Sequence, residues 1–533
     1  MASLTSRELQ DRALSGSLWT LVNVAVTLPL SIVANALTAR LLGPEEYGKL
    51  AFLLALLGAA IPLSEVGFGQ ALVQWGVGAE MSGDSATTDR LLRTRTGFAL
   101  VIQLPLLWAG GLVVLAGEAL SVRIVFLAAT LVLAGGASAQ AALLIQNRTA
   151  ALAKIAMLVG ICVQVGIVIT AITTDDAGSV WSARVAIASL GPLVAAVLIS
   201  RRFLRVTLRP LLPRGLPSGF WRFALLSWVA GASALLVYSR SEVFVLRMYD
   251  QATELGLFAV AFGLSLQLTL PLDSLLAPLF PAKAALASAH IEHVHQALLR
   301  SLRFFAVLAG ALLSLLPALY FVTPLVFGEP FRRSADLLLV LGIASTFQSV
   351  TSPFTLLAFA RRRGATLARA FVVALVVDLS LAVILVGPYG AWGAVVANVA
   401  GQLTSIVILT RLELAAQGAT VKEVALAIRP WAMAVLGLVP TFLVSWTLRF
   451  AVSPLVATGA AAVTGPLMFA LLVRLTGGGL TGADSRALLG LLPDRLGPLA
   501  RVVLRPAIMG GRHADRQGSG ASGGDSEGQS SSA

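Results

Sequence analysis

The chain of 533 residues is 57% hydrophobic and only 12% charged, with a mean hydropathy of +0.86, more apolar side chain than a water-soluble core could hide. Its formal charge of +13 would suggest nucleic acid in a soluble chain, but here it is read by position along a membrane topology, and no nucleic-acid partner is expected. A single cysteine, Cys162, excludes an intrachain disulfide.

Apolar runs of roughly 17 to 25 residues recur from Leu14 to Val473, each long enough to cross a hydrocarbon layer of about 30 Å as a helix. They are continuous rather than alternating, which excludes membrane strands. The pattern predicts an all-α polytopic membrane protein with about fourteen transmembrane helices, centred near residues 27, 64, 107, 133, 164, 192, 235, 271, 316, 347, 379, 401, 440 and 464. The first run follows residues 1–13 and is longer than the core of a cleaved signal peptide, so it is expected to be retained as a span. Residues 476–509 hold leucines and arginines in a pattern suited to an amphipathic segment on the inner leaflet. The Gly- and Ser-rich residues 510–533 have no core-forming side chains and predict a disordered tail.

With the amino terminus placed in the cytoplasm, the even-numbered connectors and both termini carry 30 of the 39 Lys and Arg residues. That asymmetry predicts a cytoplasmic location for both termini. The arginine-rich stretches at 201–214 and 361–363 fall on this side, as topology determinants against anionic headgroups or as contacts to a substrate phosphate.

One internal repeat is visible. A shift of 208 residues lays EEYGKLAF (45–52) on TELGLFAV (253–260), matching Glu46 with Glu254 and Gly48 with Gly256, and carries Glu65 onto Asp273. Six predicted spans separate the copies, so the two halves share one orientation, related by an axis along the membrane normal. In the stretch ALTARLLGPEEYGKLAF (36–52), Gly43 and Pro44 predict the outer turn between the first two spans, with Arg40 as a snorkelling anchor or a ligand contact.

No phosphate-binding loop of the G-x-x-x-x-G-K-[ST] type occurs, so no ATP motor of that kind is expected. His290, His293 and His295 lie on a connector without a cysteine or acid cluster to close a metal site, and Asp175 and Asp176 read as solvated loop charge. No nucleophile, base and orienting group form a motif; no catalytic residue, metal or cofactor is expected.

What stands out is charge inside the apolar runs: Glu65, Arg240, Glu242, Asp273 and Asp378. A charge at mid-membrane costs at least about 2.5 to 3.5 kcal/mol. The four acids are candidates for proton or cation coupling, against buried helix–helix contacts. Arg240 is a candidate for an anionic ligand, since a planar guanidinium suits phosphate. Asn23, Asn35, Gln70, Gln74, Asn398 and Gln402 could form a polar seam between helices.

The stretches GSLWTLVNVAVTLPLSIVANALTARLLGPEEYGKLAFLLAL (16–56), EVGFGQALVQ (65–74) and ELGLFAVAFGLSLQLTLPLDSLLAPLFP (254–281) resemble bacterial polysaccharide flippases. These are the polysaccharide transporter branch of the multidrug/oligosaccharidyl-lipid/polysaccharide exporter superfamily. The resemblance implies two pseudo-twofold-related six-helix lobes, 14–222 and 223–411, an extra C-terminal helix pair at 412–475, and residence in the bacterial cytoplasmic (inner) membrane. It implies alternating-access transfer of a polyprenyl-diphosphate-linked oligosaccharide, with cationic cavity residues on the diphosphate: Arg240 first, then Arg247 and Arg40. Membrane lipids, a polysaccharide polymerase and export machinery are the partners it suggests. A cation-coupled multidrug or metabolite exporter of the same superfamily is the alternative, with Glu65 and Asp273 as coupling acids.

Overall fold

The computed structural model describes residues 6–146, 148–239, 241–287, 291–360, 364–417, 420–477 and 479. Among these every extended element is a helix, and thirteen helices are long and apolar enough to cross a membrane. Of the predicted segments 476–509 and 510–533, all but residues 476, 477 and 479 lie outside the described residues.

The difference from fourteen lies in one helical run. Ser6–Glu65 is continuous except at Gly43, whose φ of 74° and ψ of 173° leave helical geometry. Unbroken, its 60 residues would be about 90 Å long at 1.5 Å per residue, three times the hydrocarbon thickness. Gly43 is open to a positive φ that side chains disfavour, and Pro44 starts the next helical arm where its missing N–H costs nothing. The break stands where the sequence predicts a turn.

Large apolar side chains on the periphery face outward: Val197 is 81% exposed, Val113 76% and Leu475 73%. In water this surface would be untenable; against lipid it is the matched solvent. The main core gathers Leu53, Phe126, Trp181, Leu255, Phe258, Leu341 and Val395 from both halves of the chain. The terminal pair, Val421–Ala451 and Pro454–Thr476, packs together and against Ile291–Leu313 and Leu316–Phe327. Loop aspartates act as helix caps: Asp84 accepts from the Thr87 amide at 3.0 Å, and Asp176 from the Ser179 amide at 2.7 Å.

The repeat has a structural meaning that its few identities did not carry. A Cβ on Gly48 would stand 2.0 Å from the Ala252 carbonyl oxygen, and one on Gly256 would stand 1.9 Å from the Pro44 carbonyl oxygen. Under the shift of 208, Pro44 is the counterpart of Ala252. The contact is therefore reciprocal: each copy of the motif presses its glycine on the backbone of the other, at the Gly43 end of the bundle. Glu46 accepts from the Ala177 amide at 3.2 Å and Glu254 from the Ala391 amide at 3.0 Å. Each repeated glutamate thus caps the N-terminus of a helix in its own half, Ala177–Ala188 or Ala391–Gln417.

Candidate functional site: two buried polar clusters

The second half holds the more enclosed cluster. Phe220–Ser239 and Ser241–Met248 lie on either side of Arg240, and two carbonyls of the first helix, which a membrane interior cannot hydrate, meet side-chain donors. Asn398 Nδ2 donates to the Val237 carbonyl at 3.1 Å, and the Ser241 hydroxyl lies 3.0 Å from the Leu236 carbonyl. The same two residues hold acids. Asn398 Nδ2 donates to Glu242 Oε1 at 2.7 Å, and Ser241 Oγ donates to Asp378 Oδ2. Gln402 Nε2 donates to Asn398 Oδ1 at 2.6 Å, one turn along the same helix. Glu242, Asp378 and Asn398 are completely buried, and the two carboxyl groups are in direct electrostatic contact.

Glu242 Oε2, Asp378 Oδ1 and Gln402 Oε1 are buried acceptors with no donor among the described residues. Two carboxylates so placed cannot both stay charged without compensation; a shared proton or a cation supplies it. The donor set is all oxygen, suited to a proton or a hard cation and unsuited to zinc. The cluster joins Ser241–Met248 to two consecutive helices far along the chain, Gly364–Tyr389 and Ala391–Gln417. Glu242 and Asp378 were both singled out in the sequence; their proximity was not.

The first half has a different cluster. Glu65 ends its helix, and the chain turns through Val66 and Gly67, with φ of 50° and 72°, before Phe68–Met81 begins. A Cβ on Gly67 would stand 2.1 Å from the Ala224 carbonyl oxygen, so the EVGFG stretch marks a second close approach between the halves. Arg95 Nη2 meets Glu65 Oε1 at 3.0 Å and Arg95 Nη1 meets Gln103 Oε1 at 2.9 Å. The Arg95 side chain is 2% exposed and that of Glu65 29%.

Arg95 and Gln103 are eight residues apart, which in a uniform α-helix leaves them about 80° out of register. The intervening turn, Ala99–Gln103, is a π-helix. Absorbing one extra residue reduces the offset to about 20° and brings the amide over the guanidinium. Sequence reasoning missed Arg95; a polar Gln103 eight residues later was the available signal.

The other sequence candidates are placed apart from these clusters or beyond description. Arg247 rests 5.4 Å from the Phe52 ring centroid and 3.4 Å from Asp250, bridging the halves. Arg40 is exposed with its stem beside Gly328. Arg240 lies outside the described residues, as does the side chain of Asp273 in the helix Ala252–Ala287. His290 also lies outside them, and His295 Nε2 is 3.6 Å from Glu423. Among the described residues no group of three His, Cys, Asp or Glu could hold a metal ion.

The sequence profile of the family described as polysaccharide biosynthesis protein matches residues 13–287, just over half the chain. The chain belongs to this family. As a polysaccharide biosynthesis protein its profile match includes the glycine repeat, Glu65, Arg95 and Glu242 and stops before Asp378 and Asn398. No curated protein sequence matches it. Among solved structures it is similar to the lipid II flippase MurJ in an inward closed conformation, at 13% identity and a TM-score of 0.59, covering 86% of this chain and 98% of that one. It is also similar to an inward-facing multidrug resistance MATE family transporter of the MOP superfamily, at 14% identity and a TM-score of 0.54, covering 75% and 99% of the two chains. A MOP superfamily transporter from Pyrococcus furiosus aligns at 13% identity with a TM-score of 0.50, covering 77% and 97%. At these identities the likeness is one of fold, which this polysaccharide biosynthesis protein shares with all three.

Proposed function

We propose that the chain is a flippase that carries a polyprenyl-diphosphate-linked oligosaccharide from the inner to the outer leaflet of the bacterial cytoplasmic membrane, for surface polysaccharide synthesis. The observation that carries the reading is the polysaccharide biosynthesis family match on a fold shared with a lipid II flippase. In this reading fourteen helices cross, the two arms around Gly43 counting separately, and both termini are cytoplasmic. The work is transport, not covalent catalysis. Membrane lipids are the medium, and a polymerase and export machinery take the product onward.

Alternating access needs the two halves to part at each membrane face in turn. The Gly48–Gly256 contact is then the outer closure, and its backbone-on-backbone character suits a rigid-body separation of the two helices that carry it. Glu242 and Asp378 serve as the coupling pair: binding or loss of a proton or cation changes the charge of a cluster that pins Ser241–Met248 to Gly364–Tyr389 and Ala391–Gln417. Arg240 is the proposed diphosphate contact, with Arg247 and Arg40 as secondary cations. Deleting the gene should abolish a surface polysaccharide and accumulate its lipid-linked unit on the cytoplasmic side; normal surface polysaccharide in the deletion strain rejects the reading.

The buried acid pair favours one second reading, a cation-coupled exporter of small molecules. Dye efflux from vesicles that depends on Glu242 and Asp378, with normal polysaccharide in the deletion strain, would establish it instead.

A further inference from the structure

The connector between the halves is a fixed, positively charged strip. The short helix Arg201–Thr207 and the coil after it run along the helix Ser85–Phe98. Phe203 is fully buried beneath the strip. Arg202 bonds Asp89 at 2.6 Å. Arg93 donates to the Arg209 carbonyl at 2.9 Å, the Leu211 amide donates to the Arg93 carbonyl at 3.0 Å, and Arg90 reaches the Arg214 carbonyl at 3.4 Å. A Cβ on Gly97 would stand 1.9 Å from the Leu211 carbonyl oxygen, so the coil lies directly on the helix.

Apart from the Arg202–Asp89 pair, these bonds use the backbone of the strip and leave its other arginine side chains free of them. Arg201, Arg205, Arg209 and Arg214 are exposed, and no carboxylate pairs with any of them among the described residues. Arg201 and Arg205 are four residues apart and share a helix face, opposite buried Phe203 and Thr207. Between the arginines stand Leu208, 71% exposed, and Leu212, 50% exposed. Unpaired guanidinium groups beside bare leucines match the boundary where lipid phosphates give way to acyl chains. A purely aqueous strip would have no use for the leucines, and a purely lipid-facing one could not carry the charge.

We infer that Arg201, Arg205, Arg209 and Arg214 form a docking strip for the phosphate groups of anionic phospholipids, which moors the connector between the halves to the membrane surface. The inference is independent of what the protein transports. Its test uses the full chain in detergent, titrated with phosphatidylglycerol or phosphatidylcholine and followed by native mass spectrometry and thermal unfolding. Phosphatidylglycerol should bind and raise the melting temperature, while phosphatidylcholine should do neither. Replacing all four arginines (Arg201→Gln, Arg205→Gln, Arg209→Gln, Arg214→Gln) should weaken phosphatidylglycerol binding roughly a hundredfold; the four Lys replacements should retain most of it, and Arg332→Gln at the other end of the molecule should change nothing. If the fourfold Gln variant does not fold, the Arg201→Gln/Arg205→Gln pair, both on an exposed face, should still weaken binding roughly tenfold. Wild-type affinity in the Gln variants overturns the inference, as does equal binding of both phospholipids. Binding of a polyprenyl diphosphate without phosphatidylglycerol also overturns it, and reassigns the strip to substrate.

Discussion

At the scale of single residues, both polar clusters show how a few side chains make ionisable groups tolerable inside an apolar bundle. Arg95 satisfies Glu65 and Gln103 with two different nitrogens, a geometry that a lysine point charge cannot reproduce. Arg95→Ala should lower stability by about 3–5 kcal/mol, because it strands a partly buried carboxylate, and Arg95→Lys should recover less than half of that. Thermal unfolding in detergent with both variants measures it. In the second half, Glu242→Gln and Asp378→Asn remove one acid each but keep its shape. Each should yield folded protein with transport reduced at least about tenfold, since an amide can neither exchange a proton nor neutralise a cation. Unchanged transport in both would leave the pair a structural contact. Asn398→Leu, by contrast, should act on stability, costing about 1–3 kcal/mol by orphaning Glu242 Oε1 and the Val237 carbonyl.

At the scale of elements, the decisive features are places where helices stop. Gly43 divides the first run, and Val66 and Gly67 end the second arm. Backbone-to-backbone contacts between the halves stand at Gly48, Gly67 and Gly256, because a glycine has no side chain to hold the partner backbone off. The seam at Gly48 and Gly256 makes a direct prediction. A side chain at either position would have to displace a carbonyl oxygen about 2 Å from its Cβ, so Gly48→Ala or Gly256→Ala should cost about 1–3 kcal/mol by forcing the helices apart. The same variants should raise the reactivity of an Ala51→Cys probe toward a membrane-impermeant thiol reagent several-fold, measured in a Cys162→Ser background. No rise in reactivity would mean that the seam is not what closes this end.

At the scale of the whole molecule, the distribution of arginine and lysine predicts an orientation that labelling can check. Cysteines placed at Asp175 and Gly83 should react with an impermeant reagent from opposite sides of the membrane, Asp175→Cys from outside intact cells and Gly83→Cys only after permeabilisation. The reverse pattern would invert the direction of transport proposed above. The terminal helix pair adds a lipid-exposed surface to the second half, with Phe450 74% and Leu455 72% exposed, and takes no part in either polar cluster.

The sequence by itself determined the material of the fold: apolar runs of bilayer length dictate helices, and Gly43 with Pro44 dictates the first turn, because each of these depends on neighbours along the chain. It also singled out Glu65, Glu242 and Asp378, since any acid in such a run is conspicuous. Tertiary structure alone decided what those acids do together. Glu242 and Asp378 are 136 positions apart in the chain, and neither helical periodicity nor composition reports on contacts at that separation. Arg95 needed a π-helical turn to reach its partners, a local departure that no regular pattern encodes. The glycine repeat held its place between the two: its spacing was legible, but only packing the two copies face to face showed that each glycine is there to admit the backbone of the other.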